Sequence, residues 1–174
     1  MSVPVLSESQ ARDLRSPGHG LGRPVSARAP SAWKAWLAVG LWLCVIALES
    51  SELGSFHNTS RILYPLFHFL FGVDRVRFEP WLFFLRKCGH VFGYALLSIL
   101  FFRAWRLTIP VLGNPRWSLP WARIAVLLTA LVASLDEWHQ TFNPSRTGAI
   151  RDVVLDSAAA LAAQALVFLW VRWV

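Results

Sequence analysis

Four long apolar runs separated by short polar blocks dominate the hydropathy pattern of this chain. They predict helices over about 33–51, 81–105, 119–140 and 151–171. Helices of such lengths can cross the roughly 30 Å hydrocarbon core of a bilayer. The runs lack the polar face that a 3.6-residue period gives to a helix of a soluble domain. The sequence therefore predicts an all-α polytopic membrane protein, a bundle of four transmembrane helices.

Two segments lie outside these four spans. Residues 1–31 are rich in Ser, Pro, Gly and Arg, which predicts a disordered basic tail preceding a transmembrane domain over 32–174. After the first span, the stretch RILYPLFHFLFG is apolar but too short to cross a bilayer, and Pro65 is expected to break it. It is predicted to be a short interfacial segment.

The basic residues indicate topology and lipid contact. The net charge is +7, but Lys and Arg sit in the flanks of the apolar runs rather than along one helix face. This distribution argues against a nucleic-acid partner and favours contacts with membrane lipids. The tail, the connector between the second and third spans, and the C-terminus are basic and fall on one side of a four-span topology. We therefore predict that both termini are cytoplasmic.

At the opposite face, which is then extracytoplasmic, polar residues from all four spans are predicted to converge. Lys87, His90 and Tyr94 stand at i, i+3 and i+7, and the pairs Asp136 with Gln140 and Asp152 with Asp156 stand at i, i+4, so each set shares one face of its helix. These residues are Glu49, Lys87, His90, Asp136, Glu137, Gln140, Asp152 and Asp156.

The charges of this predicted site do not balance. It holds four carboxylates, from Asp136, Glu137, Asp152 and Asp156, and two fixed cations, Lys87 and Arg146. Like charges in a low-dielectric environment cannot all be ionised. Either a carboxylate keeps a proton, His90 is protonated, or a cationic ligand enters.

At these residues the chain resembles the VanZ-like family of small bacterial membrane proteins, which is named for a protein associated with teicoplanin resistance. The family pattern is Lys-x-x-His, then Asp-Glu-x-x-Gln, an Arg about six residues further on, and Asp-x-x-x-Asn entering the last helix. The matching residues here are Lys87 and His90, then Asp136, Glu137 and Gln140, then Arg146, and finally Asp152 and Asp156. The resemblance covers about 33–171. Asp156 stands where the family usually has Asn, and Ala159 stands where a Gly usually follows.

The resemblance implies a cell-envelope protein of the bacterial inner (cytoplasmic) membrane with a link to antibiotic resistance. Our leading hypothesis is a non-enzymatic protein that recognises or handles a lipid-linked envelope precursor or a lipoglycopeptide. Lys87 and Arg146 would meet its anionic groups, and the carboxylates with Gln140 would take its amide or ammonium donors. The predicted ligand-binding residues are Lys87, His90, Asp136, Glu137, Gln140, Arg146, Asp152 and Asp156.

Two alternatives remain open. In a membrane-embedded enzyme acting on a lipid-linked phosphate or acyl group, Glu137 or Asp136 would be the general base and His90 its acid partner. In a purely structural bundle, the charges would be ion pairs that set helix register. His90, Glu137 and Asp136 have metal-ligand chemistry but no dedicated motif spacing, so neither a metal site nor a cofactor is predicted.

Overall fold

The computed structural model describes residues 32–109, 111–113, 115–142 and 148–174. Across these residues the structure is helical, without strands, and four of the helices are long and apolar enough to cross a membrane. The predicted all-α bundle of four membrane helices is confirmed. Residues 1–31 and Arg146 lie outside the described residues. The five helices are α1 (Ala32–Ser50), α2 (Phe56–Phe71), α3 (Arg75–Thr108), α4 (Leu119–Gln140) and α5 (Ile150–Trp173).

The segment after α1 is a 3-10 turn at Glu52–Gly54 followed by α2, whose 16 residues are fewer than a membrane span usually needs. Ser55 caps its start, and Gly72 ends it at a positive φ of 63°. The apolar side chains of α2 are exposed, as expected of a helix that lies in the membrane interface. The predicted break at Pro65 is wrong. Proline removes one backbone hydrogen bond, but the helix is capped at both ends and continues past this residue.

The central element of the fold is α3, a helix of 34 residues that packs against each of the other four. It begins at Arg75, six positions before the predicted start, because the Asp74 carboxylate accepts a hydrogen bond from the Arg77 N–H at 2.8 Å and caps the helix. Small residues of α4 and α5 are buried in the bundle around α3, and their size allows the helix backbones to approach one another. These buried residues are Ala122, Ala125, Ala133, Ala159, Ala160 and Ala163.

Side-chain hydrogen bonds join the helices at three depths. Near one end of the bundle, Trp36 Nε1 donates to Thr108 Oγ1 at 2.9 Å. In the middle, Gln164 Nε2 donates to Ser98 Oγ at 2.9 Å. Nearer the N-terminal end of α3, Trp42 Nε1 donates to the Gly93 carbonyl at 2.9 Å. Beyond this last contact, toward the N-terminal end of α3, lies the polar cluster.

Candidate functional site

Two pairs of polar side chains join α3 to α5. The Lys87 ammonium forms an ion pair with Oδ1 of Asp152, and His90 Nδ1 lies 3.2 Å from Oδ2 of Asp156. A step of three residues on α3 and of four on α5 keeps both pairs in one interface. Asp156 is fully buried, whereas 30% of the Lys87 side chain is exposed. The two pairs thus lead from the edge of the bundle into its interior.

Asp136 on α4 is held by two neutral donors. Its Oδ2 atom accepts from the Tyr94 hydroxyl at 2.9 Å and from Gln140 Nε2 at 3.0 Å. Both donor residues are buried. The Tyr94 ring also stacks on the His90 ring, with 6.1 Å between their centroids. Tyr94 therefore connects the α4 carboxylate to the α3–α5 pairs.

Glu137, the next residue on α4, receives a backbone donor from the start of the last helix. Its Oε2 atom accepts from the Ala149 N–H at 2.7 Å. Gly148 makes this contact possible, because a Cβ on that residue would lie 2.3 Å from the Glu137 carbonyl oxygen. A residue with a side chain cannot pass so close to the end of α4. The buried carboxylate is consequently fixed by the chain that enters α5.

Three groups from three helices meet at the centre of this cluster. One potential ligand atom each from His90, Glu137 and Asp156 lies within 4.8 Å of the other two. Oε1 of Glu137 and Oδ1 of Asp156 are buried and have no hydrogen-bond partner among the described residues. We call these residues the triad. They are the groups within the described part of the chain that could together hold a metal ion.

A cavity of about 220 Å³ opens beside the cluster, between α1, the 3-10 turn, α2 and α3. Its lining includes apolar Leu63, Leu82 and Leu85 and polar Glu49, Arg86 and His90. A second cavity, of about 20 Å³, shares Glu49 and His90 with the first and continues to Asp136 and Gln140. This volume holds about one water molecule. The two cavities thus adjoin the cluster, and the larger of them has one apolar side.

The structure brings together every predicted site residue that it describes. Lys87, His90, Asp136, Glu137, Gln140, Asp152 and Asp156 lie in one cluster, through contacts between α3, α4 and α5. Arg146 lies outside the described residues, so its place in the cluster stays a prediction, as does ligand binding by the whole set. His139, weighed as a further metal ligand, is exposed.

Two members of the cluster were not among the predicted site residues. The helical spacing places Tyr94 on the same face as Lys87 and His90, but Tyr94 was interpreted as a core or lipid-facing residue. No pattern in the sequence could have identified the Ala149 N–H, because the position of a backbone group depends on the path of the chain rather than on residue type.

A comparison with protein families found a match over most of the chain. A family model described as VanZ/LLP1 matches residues 35–171, which include the described residues of the cluster. No curated protein and no solved structure matches the chain.

Proposed function

This chain belongs to the VanZ/LLP1 family, and we propose that it is a non-enzymatic envelope protein that binds an amphiphilic molecule at the acidic cluster. The proposed ligand is a lipid-linked envelope precursor or a lipoglycopeptide. The cluster faces the extracytoplasmic side in this proposal, following the distribution of basic residues.

The observation that carries the proposal is a pair of adjacent cavities. The larger one has an apolar side, formed by Leu63, Leu82 and Leu85, and a polar side that includes His90. The smaller one is lined by Asp136 and has room for about one water molecule. Part of an amphiphile suits the larger cavity, since a hydrocarbon segment can lie against the leucines while a polar group of the head meets the opposite side. Ligand sites in general combine an apolar lining with few polar groups that fix orientation.

The charges favour a ligand that donates hydrogen bonds. Lys87 is already paired with Asp152, so this cation is not available as the main partner of an anionic head group. Glu49 and Asp136 are carboxylates that line the smaller cavity. Amide and ammonium groups supply the donors that carboxylates accept. Both lipid-linked peptide precursors and lipoglycopeptides carry such groups.

Binding to the purified protein tests the proposal. The protein is placed in lipid nanodiscs and titrated separately with teicoplanin and with a lipid-linked cell-wall precursor. Asp136→Asn removes a charge beside the smaller cavity and is expected to weaken binding about 10-fold or more, because hydrogen bonds to charged groups contribute about 1.5–3 kcal/mol.

Glu79→Gln is the matched control. Glu79 is an exposed acid near the start of α3, and we expect its substitution to leave binding unchanged. The proposal is wrong if neither probe binds the wild-type protein, or if Asp136→Asn binds as tightly as the control. A mass change in the precursor on incubation with wild-type protein, lost in Glu137→Gln, would instead support the enzyme alternative.

A further inference from the structure

We propose that the triad, His90, Glu137 and Asp156, is a binding site for a zinc ion. One imidazole and two carboxylates form a ligand set that zinc accepts, and catalytic or ligand-exchanging zinc sites use three protein ligands. Potential ligand atoms of all three residues lie within 4.8 Å of one another. No motif spacing predicts this site, because each residue comes from a different helix.

The first support is the state of the two carboxylates. Asp156 has no exposed surface, and Glu137 is 4% exposed. One oxygen of each is buried without a hydrogen-bond partner among the residues the structure describes. Burying an ionised oxygen without a partner is costly, so such oxygens normally bind a donor or a metal. A cation between them would satisfy both.

The second support is the distance between His90 and Asp156. Nδ1 and Oδ2 lie 3.2 Å apart. Two ligands about 2.0–2.1 Å from a tetrahedral zinc ion are about 3.3 Å from each other. The same separation therefore suits a shared proton or a shared metal ion.

The third support is the local charge. Four carboxylates, from Asp136, Glu137, Asp152 and Asp156, lie in the cluster, and Lys87 is the fixed cation that the structure pairs with one of them. A divalent ion at the triad brings the charge of the cluster close to neutral. Three protein ligands leave a coordination position for water or another ligand.

Metal binding to the full-length protein in detergent micelles tests this inference. The protein is stripped with a chelator and titrated with zinc, and bound metal is measured by mass spectrometry. Wild-type protein is expected to retain stoichiometric zinc. Asp156→Asn keeps the shape of the side chain but removes the anionic ligand, and we expect it to lose affinity about 100-fold or more, since outer-shell partners alone account for about 10–100-fold.

Glu79→Gln and His139→Asn are the matched controls. The first removes the charge of an exposed acid of α3 outside the cluster, and the second removes an exposed histidine of α4. Both controls should bind zinc as the wild type does.

If a variant does not fold, titration of the wild-type protein with cobalt tests metal binding at the triad instead. Bound cobalt at the triad is expected to give intense visible absorption bands of a low-coordinate nitrogen and oxygen site, removed by added zinc. The inference is overturned if stripped wild-type protein takes up no zinc and shows no such bands, or if Asp156→Asn folds and binds zinc like the controls.

Discussion

The Ala149 N–H donates to Oε2 of Glu137 at 2.7 Å, so the chain entering α5 is tied to the last turn of α4 by a buried carboxylate. A single side chain thereby links two helix ends at the membrane face where the polar cluster lies. Oε1, the other carboxylate oxygen of Glu137, has no hydrogen-bond partner within the described ranges.

We expect Gly148→Ala to destabilise the protein by about 1–3 kcal/mol. The new methyl group would lie 2.3 Å from the Glu137 carbonyl oxygen and 2.8 Å from Thr141 Cγ2, so the chain must move and the Ala149 bond weakens. Unfolding of the purified protein in mixed micelles with increasing SDS measures the change. Gly40→Ala in α1 is the control, because a methyl group there meets nothing within 4 Å. Equal stability of the two variants would contradict the prediction.

Exchanging the charges of Lys87 and Asp152 should show that these two residues are directly coupled. Lys87→Glu and Asp152→Lys, made singly, each place like charges together in a partly buried site and are expected to cost about 1–3 kcal/mol. The double variant restores an ion pair and should recover at least half of the summed loss. Arg151→Glu, a change at an exposed neighbour, serves as the control. A double variant as unstable as the two losses combined would exclude direct coupling.

Gln164→Leu is expected to change stability by less than about 1 kcal/mol, although it removes two buried hydrogen bonds. Gln164 Nε2 donates to Ser98 Oγ at 2.9 Å and to the Ser98 carbonyl oxygen at 3.1 Å, but Oε1 of the same side chain is buried without a partner among the described residues. Hydrogen bonds between membrane helices average about 0.6 kcal/mol, and removal of the unpaired oxygen offsets part of that loss. SDS unfolding is again the measurement, and a loss above about 3 kcal/mol would show that these bonds are far stronger than expected.

Thiol labelling in spheroplasts tests the predicted orientation. With Cys44 and Cys88 replaced by Ala, single cysteines are placed at Phe142, after α4, and at Leu112, between α3 and α4. Both positions are exposed, at 69% and 100%. A membrane-impermeant reagent should label Phe142→Cys directly and Leu112→Cys only after permeabilisation, since the basic connector is predicted to be cytoplasmic. The reverse pattern would place the cluster in the cytoplasm.

The helices could be predicted from hydropathy because a membrane-spanning segment must be both long and apolar. The α4 bounds agree with the prediction, since apolar residues fill nearly the whole helix. The start of α3 does not, because Asp74 caps a charged first turn that hydropathy does not separate from a loop. The break expected at Pro65 does not occur, because one missing hydrogen bond does not end a helix that is capped at both ends.

The cluster could be predicted as a set of residues, but its pairing could not. Helical spacing identifies which residues share a face, whereas the rotation of each helix about its own axis depends on packing. Lys87 therefore meets Asp152, and the sequence could equally have paired that carboxylate with Arg146. In the same way Asp156, rather than Asp136, joins His90 and Glu137, because Asp136 turns toward Tyr94 and Gln140.

The length of α3 has a consequence for how the cluster is reached. Its 34 residues rise about 51 Å, and fitting them within a hydrocarbon core of about 30 Å would need a tilt above about 50°, beyond the range of about 0–40° seen for membrane helices. The stretch from His90 to Thr108 alone rises about 27 Å, nearly the full core. We therefore expect the N-terminal part of α3 to extend beyond the hydrocarbon core, together with α2, which packs against α3. In the proposed function, a ligand moving in the plane of the bilayer would reach the cluster at this boundary.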